Sequence, residues 1–210
     1  MMHTEILSEE QKKLLPLIKL FKKDYYLVGG TAIALHIGHR RSIDFDLFTK
    51  KKIQHSRIKK IISGSSPDTP HFLYESDDQI HVKINDVKIT FFHFPFNIPA
   101  SVNFNSIIQI PALPDLGAMK AFAFAERAKW KDYADMYFLL KHEFSLDQIC
   151  KRTSELFNIG GSIVFTEKLF RQQLCFFDDI DYSEQIEYVC PPVNEKEIKN
   201  FLIAVATQPF

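Results

Sequence analysis

Cysteine and glycine are scarce in this chain, with 3 Cys and 7 Gly among 210 residues. Cys150, Cys175 and Cys190 are odd in number, far apart and without C-x-x-C spacing. That excludes a disulfide framework and a thiolate zinc site, and it fits a reducing cytoplasm. Net charge is absent as well: 26 basic residues balance 26 acidic ones, which argues against a protein that coats nucleic acid over its whole surface. No apolar run approaches the roughly 18 residues of a membrane span. The opening MMHTEILSEEQKKLL alternates acid and base where a leader would place a basic segment before an apolar one. The expectation is a cytoplasmic protein with no membrane partner. Without polar low-complexity tracts, a disordered or fibrous chain is excluded too. Core material is plentiful: 46% hydrophobic residues, including 20 Phe. The length suits one domain, or one domain with a helical extension.

Ser8 and Gln11 have the form of a capping box, and Leu14, Leu15, Ile18 and Phe21 recur at helical spacing, which predicts a first helix to about Lys23 with a bend at Pro16. Tyr25 to Val28 reads as a short strand, Gly29-Gly30-Thr31 as a turn, and Ala32 to Leu35 as a second helix. Ile43 to Phe48 alternates at period two, and the lysine-rich stretch with Ile58, Ile61 and Ile62 predicts a short helix. Ser63 to Pro70 has turn chemistry at nearly every position. Ile80 to Ile84 and Val87 to Phe94 flank Asn85-Asp86 as a tight hairpin, and Ile107 to Ile110 adds a strand. Beyond Pro114 helices are expected over 115–127, 132–142 and 146–157, the last capped by Ser145, with a final one opened by Asn194 and Glu197. The chain therefore reads as an α+β protein: a mixed-sheet core with flanking helices over 1–112, then a mainly helical region over 113–210.

The stretch from Leu27 to Phe48 carries the most chemistry. Gly29 and Gly30 let ligand oxygens approach the backbone, and the N–H groups at the helix start face an anion. Thr31 can cap that helix and offer a hydroxyl. Asp44 and Asp46, two apart on a strand, share one face while Ile43, Phe45 and Leu47 face the core. Paired carboxylates repel each other and suit Mg²⁺, which tends to bring substrate phosphates with it. Arg40 and Arg41 just before the acids can meet phosphate. A glycine turn beside a carboxylate pair spells phosphoryl chemistry.

These residues resemble the nucleotidyltransferase superfamily with the DNA polymerase β-like fold, and within it the AbiEii/AbiGii toxin family. The resemblance rests on Gly-Gly-Thr at 29–31, on Gly-His-Arg-Arg-Ser-Ile-Asp-Phe-Asp-Leu-Phe ending at Phe48, and on Pro114 to Lys120 continuing to Arg127, Lys131-Asp132 and Asp135. It implies a nucleotidyltransferase-like core in which Gly29, Gly30, Thr31, Arg40, Arg41, Ser42 and Lys120 hold a nucleoside triphosphate. Asp44 and Asp46 would bind Mg²⁺, two ions being expected, and Lys120 with Asp132 or Asp135 would complete the catalytic set. It further implies in-line transfer of a nucleoside monophosphate to RNA or tRNA by a toxin-like protein with a cognate antitoxin. Transfer to a protein or small-molecule hydroxyl, and a non-catalytic nucleotide-binding module of the same fold, stand beside that reading.

The chain departs from the wider pattern at one place. A third carboxylate is usual on a later strand, and Val87 to Phe94 contains none; Thr90 stands where it is sought. Other features have plainer readings. Lys131 and Asp135 at i,i+4 suit a surface ion pair. Lys120, Arg127 and Lys131 share a helical face and could form a basic stripe. His36 and His39 lack a third zinc ligand, and Ser42 lacks the base partner a nucleophile needs. Eight basic residues oppose two acids between Arg40 and Lys60, and seven acids oppose one lysine between Phe176 and Ile198. The basic segment can draw a triphosphate or RNA, and the acidic one is expected to be solvated.

Overall fold

The computed structural model describes residues 2–124 and 129–209. The chain divides into two compact units, one ending at Ala112 and the other beginning at Leu113.

In the first unit, helix α1 (Glu9–Lys19) opens with a full capping box: Ser8 Oγ accepts from the Gln11 N–H, and Gln11 Oε1 accepts from the Ser8 N–H. Pro16 lies inside it. Strand β1 (Tyr26–Val28) runs straight into helix α2 (Gly29–Ile37), whose Ala32, Ile33, Ala34 and Leu35 are fully buried. Strand β2 (Phe45–Thr49) alternates buried and half-buried positions, as its sequence period requires. Helix α3 (His55–Ser65) is anchored by buried Ile58 and Ile62. It carries Ser63, Gly64 and Ser65, expected in the loop, for one more turn, closed by the Ser66 N–H on the Ile62 carbonyl. Strands β3 (His71–Ser76), β4 (Gln79–Ile84), β5 (Val87–His93), β6 (Val102–Phe104) and β7 (Ile108–Ile110) complete a seven-stranded mixed sheet in the order β3-β4-β5-β2-β1-β7-β6. The pairs β2–β5 and β1–β7 are parallel and the rest antiparallel.

One face of this sheet is apolar: Leu27, Phe45, Leu47, Ile80, Val82, Ile89 and Phe91 are all buried. Burying such side chains supplies roughly 1.5–3 kcal/mol each. The opposite face carries Asp46, Phe48, His81, Lys83, Lys88 and Phe92, all half-buried, and Thr90 at 9% exposure.

The second unit is helical: α4 (Leu113–Ala123), α5 (Trp130–Phe138) continued by a π turn (Leu139–Glu143), α6 (Leu146–Phe157), α7 (Glu167–Leu174) and α8 (Glu195–Ala206). Ser145 and Asn194 cap α6 and α8 as expected, Ser145 within a second capping box. Buried Arg171 on α7 donates to the carbonyls of Ala206 and Gln208, satisfying groups at the end of α8. Arg152 on α6 bonds Asp115 on α4 at 2.6 Å. Glu184, Glu195 and Glu197 of the acidic segment pair with lysines of this same unit. Helix α4 was expected to reach Arg127, which lies outside the described residues.

Candidate active site

The junction of β1 and α2 is built around two missing side chains. Gly29 has φ +73°, a left-handed conformation that costs an L side chain about 1–2 kcal/mol. A Cβ there would lie 2.2 Å from Asp46 Oδ2, so the carboxylate rests directly on the turn's backbone. At Gly30 a Cβ would lie 2.5 Å from Arg40 Nη2 and 3.1 Å from Ser42 Oγ. Gly29, Gly30, Arg40, Ser42 and Asp46, singled out from the sequence, therefore converge on one turn.

The remaining site residues have more specific placements. Asp44 lies just before β2 instead of on it, half-buried, with Lys88 Nζ 3.6 Å from Oδ2. Thr31 does not cap α2: the N-cap is Val28, with no side-chain cap. The Thr31 hydroxyl, fully buried, donates to the carbonyls of Ser42 (3.2 Å) and Asp44, and Gln11 Nε2 also donates to Ser42 O at 2.8 Å. Thr31 and Gln11 thus position the segment that carries the acids. Arg40, 4% exposed, donates through Nη1 to the Arg41 carbonyl at 2.9 Å, and Arg41 reaches the Glu5 carbonyl. His36 Nε2 meets the Pro111 carbonyl at 3.1 Å, and His39 is buried.

The register puts Thr90 directly opposite Asp46 on β5, and His81 directly opposite Thr90 on β4. The position expected to hold a third acid is therefore a threonine. His81 and Lys88 share that face and were not singled out from the sequence. The signal was available, because period-two reading of β4 and β5 puts both on the face of Thr90. Burial lowers the His81 imidazole, as does Lys88, against an opposing pull from Asp46.

Lys120, Asp132 and Asp135 form their own cluster in the second unit. Lys120 Nζ lies 2.6 Å from Asp132 Oδ1 and 2.7 Å from Asp135 Oδ2, with side-chain exposures of 4%, 3% and 0%. Among the described residues Lys131 joins Lys129 on Glu184 and does not pair with Asp135, and Lys120 faces its two aspartates; Arg127, the third member of the expected basic stripe, lies outside the described residues. A buried ammonium takes both carboxylates because an unpaired buried charge costs several kcal/mol.

Among the described residues, no group of three or more His, Cys, Asp and Glu forms a metal cage. The hard carboxylates of this region are Asp46, on the glycine turn, and Asp44, two residues before it and beside Lys88. That set fits Mg²⁺, which keeps waters and takes substrate phosphate oxygens for its remaining positions. The turn itself combines the backbone of a helix start, a guanidinium, a hydroxyl and one acid, a set that suits a polyphosphate and its counter-ion.

The chain was compared with known proteins. The family model for the AbiEii nucleotidyl transferase toxin of type IV toxin–antitoxin systems matches residues 17–202. A curated relative from Aquifex aeolicus (strain VF5), described as an uncharacterized protein, is 32% identical over 190 residues, covering 85% of this chain and 88% of its own. Among solved structures, the nucleotidyltransferase toxin MenT4 of Mycobacterium tuberculosis H37Rv superposes with a TM-score of 0.63 at 12% identity, over 94% of this chain and 80% of its own. JHP933 from Helicobacter pylori does so with 0.56 at 20%, over 95% and 91%. The likeness to the solved structures is one of fold, and with the family match it settles the assignment: this chain belongs to the AbiEii family of nucleotidyltransferase toxins.

Proposed function

We propose that this nucleotidyltransferase moves a nucleoside monophosphate from a nucleoside triphosphate to a hydroxyl of a macromolecule, RNA and tRNA first among acceptors, and that a cognate antitoxin restrains it. The reading is carried by the contact of the Asp46 carboxylate with the Gly29 backbone, where a Cβ would come within 2.2 Å. An acid resting on the turn that opens a helix is placed to serve a cation that shares the site with a triphosphate.

In this reading the N–H groups at the start of α2 bind triphosphate oxygens, and the Ser42 hydroxyl beside Gly30 adds a donor. Arg40, beneath Gly30, stiffens the turn and adds positive potential; Arg41 is held at its edge. Asp44 and Asp46 hold Mg²⁺, which supplies charge neutralisation at the phosphates. The acceptor oxygen attacks the α-phosphorus in line, the bond to the bridging oxygen breaks, and pyrophosphate leaves. Lys120 and Asp135 belong to the proposed catalytic set on the family resemblance.

One observation favours a second reading: Thr90 opposite Asp46 leaves the expected third acid missing, as in a module that binds nucleotide without turnover. The two separate in one experiment. Purified protein is incubated with each α-³²P-labelled nucleoside triphosphate, Mg²⁺ and either total cellular RNA or total protein. Label in a tRNA-sized band supports transfer to RNA, and label in protein moves the acceptor class. Triphosphate binding with no label in any fraction supports the non-catalytic module.

A further inference from the structure

Thr90 leaves the transfer reaction without an evident base on β5, and the next strand supplies one. Asp46, Thr90 and His81 form a row across β2, β5 and β4, each the register partner of the next. Paired residues on adjacent strands project from the same face, and strands lie 4.7–4.9 Å apart, so Asp46 and His81 flank Thr90 with about 10 Å between their backbones. A hydroxyl lying over Thr90 is within side-chain reach of both. Resting on the transfer reading above, we infer that His81 is the general base that takes the proton of the acceptor hydroxyl, in place of the missing third carboxylate.

The imidazole has fixed neighbours. Its Nε2 lies 2.9 Å from Gln79 Oε1, a carbonyl oxygen that can only accept, so Nε2 carries the hydrogen and Nδ1 the lone pair. Tyr74 on β3 backs the ring at 5.3 Å between centroids. The charged groups facing it are Lys88 on β5, Lys83 two residues along its own strand and Asp46 on β2. Burial and Lys88 keep the ring neutral, and therefore basic, near neutral pH, while Asp46 favours the imidazolium once it forms. In the step itself the acceptor oxygen bonds to the α-phosphorus as its proton passes to Nδ1. The bond from phosphorus to the bridging oxygen breaks, pyrophosphate carries off the electron pair, and the imidazolium returns its proton to water.

The test uses the full chain and the acceptor that the labelling experiment identifies. His81→Gln keeps the side-chain amide geometry without a base. The expected result is a kcat lowered about 10²-fold or more with KM for the triphosphate little changed, as loss of a general base requires. The wild-type rate falls at acid pH with a midpoint below the ordinary histidine range, and that limb disappears in His81→Gln. Adding Thr90→Asp to His81→Gln restores transfer, with an acid limb moved to the carboxylate range. Should His81→Gln lose its far-UV circular dichroism, His81→Asn gives the reading: the acid limb disappears if His81 is the base and stays if it is not. Full kcat and an unchanged acid limb in folded His81→Gln, with Asp46→Ala inactive, overturn the inference and leave the transfer reading standing. No transfer by the wild-type chain overturns the transfer reading and the inference with it.

Discussion

Gly29→Ala separates the stability of the turn from its chemistry. The substitution forces an L side chain into φ +73°, at about 1–2 kcal/mol. The new Cβ would stand 2.2 Å from Asp46 Oδ2, 3.1 Å from its Cγ and 3.3 Å from its Cβ. The closest of these atoms ends a side chain, so the carboxylate can swing away by about 1 Å instead of breaking the fold, and Ile33, Ala34 and Leu35 keep α2 anchored. Melting should therefore drop only by about 2–4 °C per kcal/mol lost. The displaced carboxylate, however, no longer meets the turn, and a misplacement of about 1 Å costs on the order of 10²-fold in rate. Differential scanning calorimetry and the label-transfer assay, run side by side, measure the two effects. A Gly29→Ala protein that transfers label at the wild-type rate would refute the view that contact between Asp46 and the turn matters for function.

Three further outcomes follow from the second unit. Lys120→Met leaves the Asp132 and Asp135 carboxylates buried without the ammonium between them, and urea denaturation should show a loss of about 3–5 kcal/mol; a loss below about 1 kcal/mol contradicts the buried-triad account. Burial raises the Glu184 carboxyl, but hydrogen bonds and charge from Lys129 and Lys131 outweigh it and take the group down to about 2. A carboxylate depressed on folding stabilises above its unfolded value and loses that contribution as pH falls from about 4.5 through about 2. Glu184→Gln should flatten stability over that window, which melting temperatures at stepped pH will show. Burial pushes the Cys150 thiol up to about 12, so native protein at pH 8 should leave it unalkylated by iodoacetamide while urea-unfolded protein reacts.

The elements legible in the sequence were those with a local signal. Ser8, Ser145 and Asn194 announce α1, α6 and α8 because capping is settled within four residues. Strands β2, β4 and β5 show because one face is buried. Strand β3 does not alternate, since Phe72, Leu73 and Tyr74 are all exposed on an edge held by its ladder to β4. Strand β6 is three residues long, too short for a period. Helix α7 lies between the helix expected over 146–157 and the acidic segment that starts at Phe176, in a stretch for which no element is expected, although Thr166 caps it. At the site, Gly29, Gly30, Arg40, Ser42 and Asp46 could be grouped because they sit within 18 residues of one another. Period two puts His81 on one face of β4, but its relation to Asp46 comes only with the pairing of β4 with β5 and β5 with β2. Thr31 departs from the expected cap for a related reason: its hydroxyl bonds carbonyls 11 and 13 residues away, not the first turn of its own helix.

The most direct test of transfer at the Asp44–Asp46 site follows two labels in parallel. Wild-type protein and Asp46→Ala, each shown folded by circular dichroism, receive a nucleoside triphosphate labelled at either the α- or the γ-phosphorus, with Mg²⁺ and RNA. The account predicts α-label on the acceptor and γ-label in pyrophosphate for the wild type, and neither for Asp46→Ala. The γ-label on the acceptor, or unchanged transfer by a folded Asp46→Ala protein, would contradict it.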